Sequence, residues 1–351
     1  MKFESLVIDA IISETADSYT LRFQPPSESW LNYLPGQYLT LKIYIDGEQY
    51  RRAYSLSSSP QTDQYLAVTI KAIEHGKVSN YLKSNIRKGD AIECLPPMGS
   101  FVVHPDSANK QHYILVGAGS GITPLMSILK TVLAVEPESI VSLIYGNRDE
   151  QSIVFRQTLA ELTEKYKGRL AVHHVLSRPS EKWEGTKGRV EGEVCQSLLS
   201  QVINKDTRPF SVYICGPQGM MDSVEEVLER LNVPQNVTHR EFYAAPIHQT
   251  DDDSVEEFEL IAREVTVILD GVIRTVTVEP DSNILQAVID LNVDPPYACQ
   301  EGVCSTCRAK VRSGMVQMYV RDGLSDEEIE AGYVLTCQCV PLTDDVVVEF
   351  A

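Results

Sequence analysis

The sequence predicts three domains in series: an antiparallel β-barrel over residues 1–106, an α/β domain on a parallel sheet over 107–245, and a compact α+β domain over 261–351 beyond an acidic linker at 246–260. Three observations carry that expectation. Apolar and polar residues alternate with period two through the first hundred positions; apolar runs then alternate with longer amphipathic segments; and five of the eight cysteines crowd the last third. A chain of 351 residues has room for two to three such units.

In the first unit Leu39, Leu41, Ile43 and Ile45 form one alternating run and Leu66, Val68 and Ile70 another, as strands with one buried face require. Pro35-Gly36 and Pro97-Met98-Gly99 mark turns, and Ser79 to Ile86 is expected to be the one helix, capped by Ser79. From Gln111 the apolar runs Tyr113 to Val116, Ile140 to Tyr145, Leu170 to Leu176 and Ser211 to Cys215 alternate with helices expected near Thr123 to Leu133, Ile153 to Tyr166, Glu191 to Val202 and Gly219 to Leu231. Such alternation implies a parallel sheet covered on both faces, the usual plan of a nucleotide-binding domain.

Between Ala245 and Leu260, six acidic residues from Asp251 to Glu259 stand without a lysine or arginine, and their mutual repulsion predicts an extended tether. Beyond it Val265 to Leu269 and Val272 to Val278 flank Asp270-Gly271, a hairpin signal. Ser282 is expected to open a short helix ending near Leu291, and Ser325-Asp326-Glu327-Glu328 has the spacing of a capping box.

Composition narrows the function. With 49 acidic and 31 basic residues the net charge is −18, which opposes binding to phosphate backbones, so no nucleic-acid partner is expected. Residues 249–351 hold 21 of those acids and 6 of the bases, a balance of −15 that leaves only −3 for the rest. Met1-Lys2-Phe3-Glu4 carries charge where a signal peptide needs an apolar core, which predicts a cytoplasmic protein. Gln111 to Leu129 lacks any Asp, Glu, Lys or Arg, yet Gly117, Gly119, Gly121 and Pro124 suit a strand, turn and helix better than a membrane span. No membrane partner is expected.

Cys299, Cys304 and Cys307 have the spacing C-x4-C-x2-C, and Cys337 follows after 29 residues. That is the plant-type [2Fe–2S] pattern, three thiolates from a loop and a fourth from farther along. A four-thiolate zinc site is the alternative, but zinc ribbons pair two C-x2-C knuckles and one occurs here. Cys339 could share a strand face with Cys337, so spacing leaves the fourth ligand open between them.

On these residues the chain resembles known proteins. Tyr297-Ala298-Cys299-Gln300-Glu301-Gly302-Val303-Cys304-Ser305-Thr306-Cys307 and Leu335-Thr336-Cys337-Gln338 resemble the cluster loop of plant-type ferredoxins, which implies a β-grasp fold and favours Cys337 as the fourth ligand. Arg52-Ala53-Tyr54-Ser55, Gly117-Ala118-Gly119-Ser120-Gly121-Ile122-Thr123-Pro124 and Cys215-Gly216-Pro217, in that order, resemble the ferredoxin–NADP reductase superfamily. Ile144-Tyr145-Gly146-Asn147-Arg148, Cys215 to Asp222 and Ala331 to Gln338 are similar to the reductase subunits of bacterial phenylacetyl-CoA epoxidases.

The resemblance implies FAD on the barrel and NAD(P)H on the second domain. A flavin needs a cation for its pyrophosphate, an aromatic face for its ring and a donor near N5, which Arg52, Tyr54 and Ser55 can supply; Arg52 and Tyr54 share one side of a strand. Gly76-Lys77-Val78-Ser79 before a helix offers backbone N–H groups to the pyrophosphate. Gly117, Gly119 and Gly121 between strand and helix suit a diphosphate, with Thr123 and Cys215 expected near the nicotinamide, Gly216 and Pro217 among the cofactor-binding residues, and Glu241 and Phe242 against the flavin. Ser55 and Cys215 are the residues expected closest to the chemistry. Ser177 and Arg178, with Arg148 from the preceding strand, are expected to hold a 2′-phosphate and so to favour NADPH over NADH, although Asp149 and Glu150 adjoin Arg148.

The implied activity is that of an NAD(P)H-dependent oxidoreductase carrying electrons through FAD and a [2Fe–2S] cluster to a di-iron monooxygenase, phenylacetyl-CoA epoxidase foremost, in phenylacetate catabolism. Its rivals are a reductase serving another oxygenase, hydroxylase or desaturase, and a flavin and iron–sulfur redox sensor.

Overall fold

The computed structural model describes residues 2–243 and 261–350; the expected acidic tether at 246–260 lies outside the described residues. β1 (Glu4–Ser13), β2 (Ser18–Phe23), β3 (Tyr38–Ile45), β4 (Glu48–Ser55), β5 (Leu66–Lys71) and, after helix α1 (Lys77–Asn85), β6 (Ala91–Cys94) form one antiparallel sheet in the order β4-β3-β6-β1-β2-β5. A bridge from Leu56 to Val68 draws the two edges together into a barrel-like closure. Period two is written in the burial: Leu6 and Ile8 are fully buried while Val7 between them is exposed. Leu21, Phe23, Leu39, Leu41 and Ile70 fill the interior.

Helix α1 begins two residues before the expected start. Gly76, not Ser79, is its cap residue, and the Ser79 hydroxyl accepts from Ile73 N–H at 3.4 Å inside the first turn. The reason is steric: Gly76 N–H donates to Ile73 O, and a Cβ at Gly76 would lie 2.5 Å from the Ile73 side chain, so the chain turns as tightly as possible there and the helix starts at once.

The second domain runs β7 (His112–Ala118), α2 (Ile122–Val135), β8 (Ile140–Asn147), α3 (Arg156–Lys165), β9 (Leu170–Leu176), β10 (Thr186–Lys187), α4 (Gly192–Ile203), β11 (Phe210–Cys215), α5 (Gln218–Arg230) and β12 (Thr238–Glu241). Its six strands are all parallel, ordered β10-β9-β8-β7-β11-β12. Helices α2 and α3 pack on one face and α4 and α5 on the other. Helix α3 starts at Arg156 rather than Ile153, because Ile153, Val154 and Phe155 are drawn into the core and Phe155 takes the left-handed conformation at φ 59°.

The third domain comprises β13 (Arg263–Leu269), β14 (Val272–Val278), α6 (Ile284–Asp290), β15 (Arg308–Ser313), β16 (Val316–Met318), α7 (Asp326–Glu330), β17 (Tyr333–Leu335), β18 (Cys339–Pro341) and β19 (Val347–Phe350). A mixed sheet ordered β14-β13-β19-β15-β17 carries the core, and β16 and β18 pair beside it. Asp270 and Gly271 both have positive φ, 51° and 75°, as a two-residue hairpin turn demands. The cap of α6 is Asn283, whose Oδ1 accepts from Gln286 N–H at 2.9 Å, rather than Ser282. Ser325 and Glu328 form the capping box of α7 that their spacing predicts. Among the described residues no helix is long and apolar enough to cross a membrane.

Candidate functional site

A cleft of about 440 Å³ opens where the barrel, the end of β12 and the cysteine loop meet, a size suited to a small-molecule site. Strand alternation turns Arg52 and Tyr54 into it, and Ser55 ends the strand at its wall. The Ser55 hydroxyl donates to Glu241 Oε2 at 2.9 Å, and Cys215 Sγ lies 3.9 Å from the same oxygen, because β12 runs parallel to β11 and sets Glu241 beside Cys215. Burial pushes the Glu241 carboxyl up to about 8 against the opposing hydrogen bonds from Ser55 and Cys215, so a protonated acid sits between a hydroxyl and a thiol at neutral pH. Burial and the neighbouring Glu241 also push the Cys215 thiol up. Gly76, Lys77, Val78 and Ser79 line the cleft with the first turn of α1, whose N–H groups have no partner within the helix. A cationic side chain, an aromatic ring, a hydroxyl and a helix N-terminus around one cleft fit a flavin nucleotide.

A second hollow of about 270 Å³ adjoins the first and is lined by Ala118, Gly119, Ser120, Gly216, Pro217 and Gln218, with Phe242 and Tyr243 shared between the two. Gly121 is required by packing: a Cβ there would lie 1.9 Å from the Cys215 carbonyl oxygen. At Gly117 a Cβ would meet the Leu125 side chain at 2.7 Å. Small residues thus bring the β7–α2 and β11–α5 turns into contact and leave a groove with backbone walls, which fits a dinucleotide. Thr123 is buried, its Oγ1 2.8 Å from the Tyr243 hydroxyl and 3.0 Å from Ser120 O. Sequence reasoning missed Tyr243, whose only signal was its place one residue past Phe242.

Arg148 and Arg178 stand side by side and exposed at the carboxyl ends of β8 and β9, because Arg178 N–H donates to Arg148 O at 2.7 Å and Ser177 N–H to Asn147 O at 3.0 Å. The adjacent acids are engaged locally. Asp149 accepts from the N–H groups of Gln151 and Ser152 and pairs with Arg148 Nε at 3.3 Å, while Glu150 accepts from Ser180 N–H and Oγ.

The four motif cysteines form two pairs. Their thiols perturb one another's ionisation most strongly as Cys299 with Cys304 and Cys307 with Cys337. Two pairs of thiols suit two irons with two thiolates each, so the donor set fits a [2Fe–2S] cluster. The Cys304 thiol and the N–H groups of Glu301, Cys304 and Val303 hydrogen-bond Cys299 and bring it down to about 6, the Glu301 contact measuring 3.3 Å. Contact with Cys307 lowers Cys337 likewise, helped by Gly302 N–H and the Gln338 amide. Gly302 takes φ 78°, and a Cβ there would meet Gln338 and Val320 at 2.8 Å. Cys339 instead packs in the hydrophobic core of its domain.

Cys299, Glu301, Val303 and Cys304 line the same cleft as Arg52, Tyr54 and Ser55. Around them Tyr38, Ala53 and Met98 of the barrel side pack with Ala298, Cys299 and Cys304. Tyr38 carries no signal in the sequence, and Glu301 and Val303 are legible there only as part of the cluster loop, because their place in this cleft depends on how one domain sits on another.

With this geometry in place, the comparisons with known proteins agree with one another. The oxidoreductase FAD-binding domain matches residues 5–103, the oxidoreductase NAD-binding domain residues 115–226, and the 2Fe-2S iron-sulfur cluster binding domain residues 267–342. A subunit of the 1,2-phenylacetyl-CoA epoxidase of Escherichia coli (strain K12) is 41% identical, with 99% of this chain and 98% of the relative covered. The 3-ketosteroid-9-alpha-monooxygenase, ferredoxin reductase component, of Rhodococcus rhodochrous is 36% identical, with 98% and 96% covered. In fold the chain is similar to phthalate dioxygenase reductase, with a TM-score of 0.57 at 24% identity over 99% of this chain and 98% of that one. The chain belongs to the family of oxygenase reductase components, oxidoreductases that join FAD-binding, NAD-binding and 2Fe-2S domains in one polypeptide and serve an oxygenase partner.

Proposed function

We propose that this reductase takes electrons from NADPH and delivers them to a di-iron monooxygenase, phenylacetyl-CoA epoxidase, in the cytoplasm. The observation that carries the electron path is the shared cleft: two of the four candidate cluster ligands, Cys299 and Cys304, line the hollow that also holds Arg52, Tyr54 and Ser55. The 41% full-length identity to a component of that epoxidase supports the choice of acceptor. We take 1–106, 107–245 and 261–351 as the three domains.

When bound, the nicotinamide supplies a hydride, the flavin converts that electron pair into single electrons and the cluster carries one electron at a time. The chain's own residues bind and orient. Arg52 and the N–H groups of Lys77, Val78 and Ser79 would hold the FAD pyrophosphate, with Gly76 giving the close turn that starts the helix and the α1 dipole favouring the anion. Tyr54 covers a ring face, and burial, which pushes its phenol up to about 12, keeps it neutral. Ser55 and Cys215 both donate to Glu241 Oε2, so the carboxyl would fix the hydroxyl and the thiol in place where flavin and nicotinamide would meet. Gly117, Gly119, Gly121, Gly216 and Pro217 would leave room for the dinucleotide; Thr123 and Cys215 would border its nicotinamide end, with Phe242 between it and the flavin; Arg148, Ser177 and Arg178 would take the 2′-phosphate. Cys299, Cys304, Cys307 and Cys337 hold the cluster.

The acceptor is tested by supplying the purified reductase to the oxygenase subunits of phenylacetyl-CoA epoxidase and, separately, to those of 3-ketosteroid 9α-monooxygenase. NADPH oxidation coupled to substrate loss is expected with the first; coupling only with the second would overturn the assignment.

A further inference from the structure

Arg51 and Arg52 are neighbours on β4 and so face opposite ways. Arg52 lines the flavin cleft, whereas Arg51 is 2% exposed beneath the third domain. A guanidinium is buried only when its donors and its charge are met, and here the third domain meets them. Arg51 Nη1 donates to Pro295 O at 2.9 Å, Nη2 pairs with the Asp294 carboxylate, and the guanidinium lies 4.0 Å from the centre of the Tyr297 ring, with the Phe3 ring of its own domain at 4.8 Å. Its three contacts across the boundary fall within Asp294–Tyr297, which ends two residues before Cys299. A second grip lies on the other side of that cysteine: Tyr38 OH is 2.9 Å from Thr306 Oγ1, and Thr306 stands between Cys304 and Cys307.

We propose that Arg51 is a positioning residue for electron transfer, a latch that holds Asp294–Tyr297 against the barrel and, with Tyr38 on Thr306, seats the cysteine loop over the flavin cleft. The latch is an interface between two domains of one chain; only its consequence for electron transfer rests on the function proposed above. Asp294, whose side chain is 64% exposed, gives the outer half of the ion pair and can be changed without disturbing either core.

The test uses the full protein with both prosthetic groups bound, comparing wild type with Arg51→Met, which keeps the stem but not the fork, and Asp294→Lys, which puts a like charge opposite Arg51. Small-angle scattering reports domain seating, and anaerobic mixing with NADPH reports flavin and cluster reduction separately. Both variants should scatter as more extended particles, keep full FAD content, and reduce flavin within about twofold of wild type while reducing the cluster at least about tenfold more slowly, the scale expected for losing hydrogen bonds to a charged group. Should Arg51→Met fail to fold, Asp294→Lys alone decides. Unchanged scattering together with unchanged cluster reduction would overturn the latch. If NADPH does not reduce the wild-type flavin, the functional reading falls, while expanded scattering of the variants still supports the latch.

Discussion

The two redox sites are built in opposite ways. The cysteine loop is local: three of its four thiols fall within nine residues, and the hydrogen bonds that support them come from Glu301, Gly302, Val303 and Gln338 beside them in sequence. The flavin cleft is assembled from distance: Ser55 meets Glu241 across 186 positions, and Thr123 meets Tyr243 across 120. A local site tolerates separation from the rest of the chain, whereas an assembled site depends on the first two domains being in place together. The same contrast runs through the charge, −3 over residues 1–248 and −15 over the remainder, so the assembled half is nearly neutral and the local half strongly acidic.

The largest expected effect breaks the local site alone. Cys307→Ser should abolish the visible absorption of the cluster and leave FAD bound and reducible by NADPH, whereas Cys339→Ser should keep the cluster. Absorption spectra of the purified variants before and after NADPH check both. Loss of FAD from Cys307→Ser would mean that the two sites are not separable.

Smaller effects probe the assembled half. Arg178→Ala should raise KM for NADPH by about 1.5–3 kcal/mol, roughly 10- to 150-fold, with little change for NADH, because it removes charge-assisted hydrogen bonds to the 2′-phosphate alone. Steady-state kinetics with both nucleotides decide it, and a wild type that already prefers NADH would remove the basis for the prediction.

Glu241 tests the assembly by pH. Its carboxyl is raised from 4.5 to about 8 in the folded protein, so between those values the native state keeps a proton that the unfolded chain has released. Stability from this group is therefore fully present below about pH 4.5, falls as pH rises through that window and levels off above it. Glu241→Gln, neutral throughout, should gain on wild type by about 1–2 kcal/mol between pH 5 and 8, a figure reduced for partial solvent exposure. Thermal melts of both proteins across that range measure it; parallel curves would show that Glu241 is already ionised.

The smallest effect belongs to the acidic half. Moderate salt, with screening over about 8–10 Å, should slow transfer to the oxygenase severalfold while sparing NADPH-driven reduction of a neutral dye by the flavin. Equal salt slopes for the two steps would leave the acids a role in solubility only.

How much of this was legible in the sequence follows the same division. Four of the six strands of the parallel sheet are readable because their apolar runs are continuous, whereas β10 and β12 at its edges lack such a run; the cluster motif is readable because C-x4-C-x2-C is contiguous chemistry. The start of α1 was misplaced because a serine looks like a cap, while the true constraint, Gly76 against Ile73, is a contact that no pattern encodes. Ser282 misleads for a similar reason: Asn283 beside it is an equally good cap residue, and only the backbone sets which of the two caps the helix. Arg51, Tyr38 and Tyr243 stayed invisible because each acts across a boundary between domains or segments, where a side chain's partner is set by docking and not by its neighbours in sequence.

The central claim is that electrons reach the oxygenase through the cysteine loop and not directly from the flavin cleft. The measurement that tests it most directly is oxygenase reduction by Cys307→Ser under excess NADPH without oxygen, followed beside wild type. The account predicts a variant whose flavin is reduced at the wild-type rate while the oxygenase stays oxidised; oxygenase reduction at an undiminished rate would contradict it.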